Sequence, residues 1–210
     1  MNRFDIDHLA AILRDAAREE ILPRFRRLSS GDVRQKTSAT DLVTEADEAA
    51  ERFIMARCAE AFPSAVFVGE ELVASDPSAL ALVGTSELAI VVDPIDGTAN
   101  YAAGAPLFAV MAAVVAKGET VAGLIYDPMG DDLVVAEMGS GAFQRGSDGR
   151  STRLAVAPAV PVAEMVGVAS HTYLPQTERA AFLSAFSTVK ILGNYRCAGH
   201  EQDVLSKSAE

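Results

Sequence analysis

The chain has 210 residues, half of them hydrophobic, enough to bury a sizeable core in one large domain or two small ones. Its 18 lysines and arginines face 29 aspartates and glutamates; the net charge of −11 disfavours nucleic acid and anionic membranes as general partners, and an anionic ligand needs a local positive site. Cys58 and Cys197 are far apart, with neither CxxC nor histidine-paired spacing, so neither a zinc site nor a disulfide framework is indicated and a reducing, cytoplasmic compartment fits best.

The N-terminal stretch carries acids every few positions and does not read as a signal peptide, and no apolar run approaches the length of a membrane span. Leu9, Ile12, Leu13, Ala16, Ala17 and Ile21 recur at helical spacing, which predicts an amphipathic helix over residues 5–22 with Pro23 at or near its end. Residues 29–40, SSGDVRQKTSAT, are polar and aperiodic and read as a surface loop, long enough for a lid, in which Lys36 is expected to be solvated. Next come an extended entry, a cap at Thr44 with Asp47 three residues on, and a helix ending before Pro63. Asp47 then lies in the first turn, where a carboxylate favours the helix dipole and either completes the cap or reaches a neighbouring site.

Residues 65–68 form a short apolar strand ending in Gly69, Glu70 and Glu71. Adjacent side chains of a strand point oppositely, so one acid should face the strand end, and Glu70 is the choice. Residues 88–92, LAIVV, predict a strand covered on both faces, with Asp93 where it would end. Pro94 fixes φ and lacks an N–H, so the backbone turns and Asp93 and Asp96 converge. Two readings stand here. One is an Asx-turn followed by an ordinary helix cap; the other is an all-oxygen site for Mg²⁺ or Ca²⁺, with Gly97, Thr98 and Ala99 opening a helix toward an anion.

Residues 106–116 and 120–126 flank a Lys117-Gly118-Glu119 turn and predict a hairpin, which residues 132–137 extend. Gly139, Gly141 and Phe143 mark a turn and a short strand before a polar loop at 145–151; the GSGAF here lacks the lysine and helix of a phosphate loop. A strand at 165–170, an amphipathic helix at 176–186 and a strand at 189–192 follow. His8 and His171 show no ligand spacing, and His200 reads as a substrate-edge or surface histidine.

Taken together, Asp47, Glu70, Asp93 and Asp96 all fall at the ends of apolar elements. DLVTEAD at residues 41–47, GEE at 69–71 and DPIDGTANY at 93–101 resemble, in order and spacing, the inositol monophosphatase family of lithium-sensitive, magnesium-dependent phosphatases. The resemblance spans about residues 5–205. It implies that Glu70, Asp93 and the Ile95 carbonyl hold one Mg²⁺ and Asp96 a second; that Asp47, Thr98 and Glu70 position and deprotonate a metal-bound water; and that the N–H groups of Gly97, Thr98 and Ala99 take the phosphate. Gly199 and His200 fall at the start of a segment similar to the family's late substrate-side helix.

The implied fold is an α/β layered α-β-α-β-α sandwich of the sugar-phosphatase type. Residues 1–140 would be an α+β half carrying the metal motifs, and 141–210 a partial C-terminal α/β half. The family's late Trp-Asp motif is missing from a chain that has no tryptophan and stops in the polar tail QDVLSKSAE, so a truncated chain or shifted frame is expected. The implied activity is Mg²⁺-dependent hydrolysis of a small phosphate monoester such as an inositol phosphate, by a cytoplasmic homodimer with no nucleic-acid or membrane partner. The alternatives are a remnant that binds metal or anion without turnover, or a relative acting on fructose-bisphosphate, histidinol phosphate or a nucleotide 3′-phosphate.

Overall fold

Helical periodicity builds one layer of the core and strand alternation the other, in a computed structural model that describes residues 4–29, 31–36, 42–171 and 174–201. Ser30, residues 37–41 and the QDVLSKSAE tail lie outside these residues. Helix α1 (Ile6–Ala16) starts on the Asp5 carboxylate, which accepts from the His8 N–H at 3.0 Å, and buries Ile6, Leu9, Ala10, Ile12, Leu13 and Ala16. Past Ala16 the helix widens: the Leu22 N–H reaches back five residues to the Ala17 carbonyl at 2.8 Å. Helix α2 (Glu45–Ala61) packs beside α1 and buries Ala46, Ala49, Ala50, Ile54 and Cys58.

Both helices lie on one face of a seven-stranded sheet of order β3-β4-β5-β6-β7-β8-β9. Strand β3 (Val66–Gly69) is parallel to β4 (Ala89–Asp96), and β5 (Ala109–Ala116), β6 (Glu119–Asp127), β7 (Asp132–Glu137), β8 (Gly141–Arg145) and β9 (Ser151–Leu154) follow antiparallel. The alternation works as a pleat requires: Ile90, Val92, Ala112, Val114, Leu124, Tyr126, Leu133 and Val135 are buried in one cluster with Leu9, Leu13 and Ile54. Lys117 (φ 53°) and Gly118 (φ 81°) form the two-residue turn between β5 and β6, both left-handed as a right-twisted hairpin prefers.

Four expectations change. Strand β4 does not stop at Asp93. Asp93 pairs with Met111 and Asp96 with Ala109, so that Pro94 and Ile95 on one strand stand against Val110 alone on the other. The extra residue makes a bulge, which accommodates Pro94 inside the strand because no ladder bond from its missing N–H is needed there. The 29–40 loop contains a strand, β1 (Val33–Gln35), antiparallel to β2 (Leu42–Thr44). Glu70 and Glu71 are not strand residues; they open a short helix, α3 (Glu70–Ser75), so the alternation argument that separated them does not apply. Strand β9 adds an edge that the sequence does not announce.

Beyond the large sheet, β10 (Val166–Val168) and β11 (Ile191–Gly193) pair in parallel and are joined through helix α6 (Gln176–Phe186). The β7–β8 hairpin carries the large sheet unbroken through residue 140, so its ladder joins the two halves into which the sequence divides the chain. Among the described residues no helix is long and apolar enough to cross a membrane.

Candidate active site

The bulge in β4 gathers the acids. Asp93 Oδ1 accepts from the Ile95 N–H at 3.1 Å, so the Asx-turn is real and coexists with a convergence of carboxylates. Gly97 then stands at φ 90° ahead of helix α5 (Thr98–Ala102). A side chain there would be strained on the backbone and would lie 2.8 Å from the Leu107 carbonyl oxygen and 3.1 Å from the Cys197 Cβ, which leaves glycine as the residue that fits.

Asp47 comes to this point from α2. Its Oδ2 accepts from the Thr44 N–H at 2.8 Å and from the Thr44 hydroxyl, and Thr44 Oγ1 accepts in turn from the α2 backbone, so the capping box forms as the sequence predicts. Its other oxygen, Oδ1, lies 3.1 Å from the Thr98 hydroxyl, which also lies 3.0 Å from the Ile95 carbonyl. A hydroxyl has one proton and cannot donate to both acceptors at once. With Asp47 protonated the chain runs Asp47 to Thr98 to Ile95 O; with Asp47 ionised Thr98 donates to it instead. Burial of the fully enclosed Asp47 pushes its carboxyl up to about 6, against the opposing hydrogen bonds from Thr44 and Thr98.

Glu70 and Glu71 share one cation. The Lys36 ammonium donates at 2.7 Å to Glu70 Oε1 and at 2.7 Å to Glu71 Oε1, and its side chain is only 12% exposed. Lys36 is therefore not the solvated loop lysine of the sequence reading. Burial works to lower its pKa, but the hydrogen bonds and charges of the two glutamates outweigh that and raise it. Burial, helped by the charges of Glu70 and Asp47, pushes Glu71 up to about 7 in spite of Lys36. Asp93 is held well above the usual carboxylate range by burial first, then by the charges of Glu70 and Asp96.

Asp96 faces the segment at 195–201. Its Oδ2 accepts from the Gly199 N–H at 2.7 Å and lies 3.1 Å from the Cys197 Sγ. A Cβ on Gly199 would lie 2.6 Å from the Ala109 Cβ, so this approach also needs glycine. Asn100 ties the same regions together, its amide donating to Leu107 O at 2.9 Å and Tyr195 O at 2.7 Å. Burial, then the charge of Asp96, raises the Cys197 thiol and keeps it protonated. His200 turns Nε2 toward the Phe108 carbonyl at 3.3 Å.

The structure thus brings Asp47, Thr98, Ile95, Asp93 and Glu70 together, sets Asp96 against Cys197 and Gly199, and turns the half-buried His200 to the Phe108 carbonyl. Lys36, Glu51 and Cys197 were missed. For Glu51 a signal existed: it sits one helical turn beyond Asp47, a second buried acid on the same face of α2. As the side chains stand, no three Asp, Glu, His or Cys residues among those described surround a common point closely enough to hold a metal ion. Lys36 meets the charge of Glu70 and Glu71 on one side, and Asp96 is turned onto the Gly199 amide on the other. The donors themselves, carboxylates and one carbonyl with no thiolate or imidazole among them, fit a hard divalent cation.

A model of the inositol monophosphatase family matches residues 5–202. Inositol monophosphatase 2 of Solanum lycopersicum is 40% identical over 106 residues, 50% of this chain and 39% of that protein. An inositol-1-monophosphatase of Mesorhizobium japonicum is 42% identical over 103 residues, 49% of this chain and 36% of that protein. The matches therefore span well under half the length of these relatives. Among solved structures, the extragenic suppressor protein suhB of Bartonella henselae superposes with a TM-score of 0.78 at 28% identity, covering 95% of this chain and 73% of that one. With DLVTEAD, GEE and DPIDGTANY all inside the matched region and their acids drawn to one bulge, the chain belongs to the inositol monophosphatase family.

Proposed function

We propose that this chain hydrolyses a small phosphate monoester in the presence of Mg²⁺, with an inositol phosphate as the leading substrate class. The observation that carries the reading is the Asp47–Thr98–Ile95 O relay, set beside acids whose burial and mutual charge hold Asp93 well above the usual carboxylate range. Glu70, Asp93 and the Ile95 carbonyl would hold one cation, and Asp96 would contribute to a second. A divalent ion bound there supplies charge neutralisation for phosphoryl oxygens and acidifies water.

The chain's own groups do the rest. Ionised Asp47 draws the Thr98 proton toward itself and leaves Thr98 Oγ1 free to accept one from a water nucleophile, so the pair works as a general base. The backbone N–H groups of Gly97, Thr98 and Ala99 lie where the chain turns into α5 and offer donors to phosphoryl oxygens. Gly199 and His200, in the segment that faces Asp96, would meet the alcohol part of the substrate. Lithium sensitivity, a homodimer and a cytoplasmic location belong to the same reading and rest on family membership.

A panel of phosphomonoesters, with inositol monophosphate, fructose-bisphosphate, histidinol phosphate and a nucleotide 3′-phosphate as arms, tests the proposal. Mg²⁺-dependent phosphate release that Asp47→Asn lowers at least a hundredfold supports it. Metal binding with no release from any arm identifies the binding-only alternative, which the engagement of Asp96 by Gly199 and Cys197 would favour.

A further inference from the structure

Gly69 is an unusual glycine. It precedes α3 at φ −98° and ψ 160°, extended backbone that any residue adopts, so its conformation gives no reason for the missing side chain. The reason lies in α2. A Cβ on Gly69 would fall 2.2 Å from Glu51 Cδ and within 2.5 Å of both carboxylate oxygens. The Glu51 side chain occupies the space that a side chain at position 69 would take.

What Glu51 does there is equally defined. Glu51 is 6% exposed. Its Oε2 accepts from the Glu71 N–H at 2.7 Å and its Oε1 from the Leu72 N–H at 2.8 Å, so one carboxylate holds two of the amides that α3 cannot satisfy internally. Gly69 itself makes no side-chain cap, and the cap arrives instead from another helix, twenty residues earlier in the chain. Placing a third glutamate under Glu70 and Glu71 is electrostatically unfavourable, with Lys36 as the nearby cation. The two amide bonds and a glycine reserved for the carboxylate indicate a role that an uncharged side chain would not fill.

We propose that Glu51 is a positioning residue: its carboxylate fixes the Gly69–Glu71 turn and so sets where Glu70 presents its own carboxylate beside Asp93. α2 then orients the site at two levels. Asp47, in its first turn, holds Thr98; Glu51, one turn on, holds the backbone that carries Glu70. The proposal deepens the metal-dependent reading above and rests on it for the consequence at Glu70, whereas the grip on the α3 amides stands independently.

The experiment uses the full chain and three readouts: hydrogen exchange at the Glu71 and Leu72 amides, Mn²⁺ affinity as a spectroscopic stand-in for Mg²⁺, and thermal unfolding. Glu51→Gln leaves one acceptor where there were two. It should raise exchange at one or both amides at least tenfold and weaken Mn²⁺ at least tenfold. Ile54→Val, a buried change one turn further along α2, serves as the control for general destabilisation and should leave both readouts unchanged. Gly69→Ala should reproduce the Glu51→Gln effects in the parent background and add nothing to Glu51→Ala, because the three atoms nearest the added Cβ all belong to the Glu51 carboxylate.

Faster exchange with parent Mn²⁺ affinity would reduce Glu51 to a helix cap and overturn the positioning role. An equal loss of Mn²⁺ affinity in Ile54→Val, or Gly69→Ala effects fully additive with Glu51→Ala, would overturn it too. If the parent binds no Mn²⁺ while the amides respond as described, the metal reading has failed and the positioning role for a ligand fails with it, but the amide grip remains established.

Discussion

Replacing Lys36 by methionine keeps most of the side-chain volume and removes the ammonium that Glu70 and Glu71 share. The size of the effect depends on how much of each pair is screened. Glu70's side chain is 39% exposed and its share is discounted accordingly, whereas Glu71 is 13% exposed and Lys36 12%. Leaving a buried ionised partner uncompensated costs about 3–5 kcal/mol, and losing a hydrogen bond to a neutral one about 1 kcal/mol. Burial and its acidic neighbours push Glu71 up to about 7, so in the folded protein it is largely protonated at pH 5.5 and ionised at pH 8.5. Urea unfolding in the presence of a chelator should therefore show Lys36→Met destabilised by about 1 kcal/mol at pH 5.5 and by about 2–4 kcal/mol at pH 8.5. A penalty independent of pH, or one that shrinks as pH rises, would refute the assignment of Lys36 as the counter-charge of Glu71.

The pH dependence of the parent follows from the same groups. Asp47 rises from 3.8 to about 6 and Glu71 from 4.5 to about 7 on folding, so between these limits the folded state holds protons that the unfolded state has lost. Their contribution is fully present below about pH 4 and is lost as pH rises through 6 and 7, with buried Asp47 accounting for about 3 kcal/mol. Thermal unfolding without divalent ions should show that decline, and the gain from added Mg²⁺ should be larger at pH 8 than at pH 5.5. Thr98→Val removes the relay hydroxyl and keeps the shape; phosphate release should fall about 10²–10⁴-fold with unfolding shifted by less than about 1 kcal/mol. Gly97→Ala meets a positive φ and a carbonyl oxygen at 2.8 Å, and denaturant unfolding should register a loss of about 2 kcal/mol or more. Asn100→Ala leaves the Leu107 and Tyr195 carbonyls without their shared donor and should cost about 1–3 kcal/mol in the same assay.

How much of this the chain reveals in advance depends on distance along it. The capping box at Thr44 and Asp47 is local, its partners three residues apart, and it forms as read. The LAIVV run and the Lys117-Gly118 turn are equally local, since a continuous apolar run and left-handed turn chemistry act within a few residues. Lys36 escaped because its partners lie 34 and 35 residues away, and nothing around Lys36 distinguishes it from a solvated lysine. Strands β1 and β9 escaped for a different reason: both are exposed along most of their length, so neither carries the hydrophobic alternation by which a strand is recognised. The fate of Pro94 was hidden because a proline's place in a strand is decided by the neighbouring strand, here by Met111 and Ala109 pairing around the bulge. The acids themselves were legible as a set, while their mutual charge burden, and the lysine that meets part of it, became visible once the fold placed them.

The central claim is that this charge burden exists to be met by a divalent cation. Calorimetric titration of Mg²⁺ into the parent and into Asp93→Asn, repeated in two buffers of different ionisation enthalpy at pH 7, tests it directly. Because burial and the charges of Glu70 and Asp96 hold Asp93 well above the usual carboxylate range, the parent should bind Mg²⁺ with release of protons, and Asp93→Asn should lose most of both. Absence of Mg²⁺ binding in the parent, or binding in Asp93→Asn with the parent's affinity and proton release, would contradict the account.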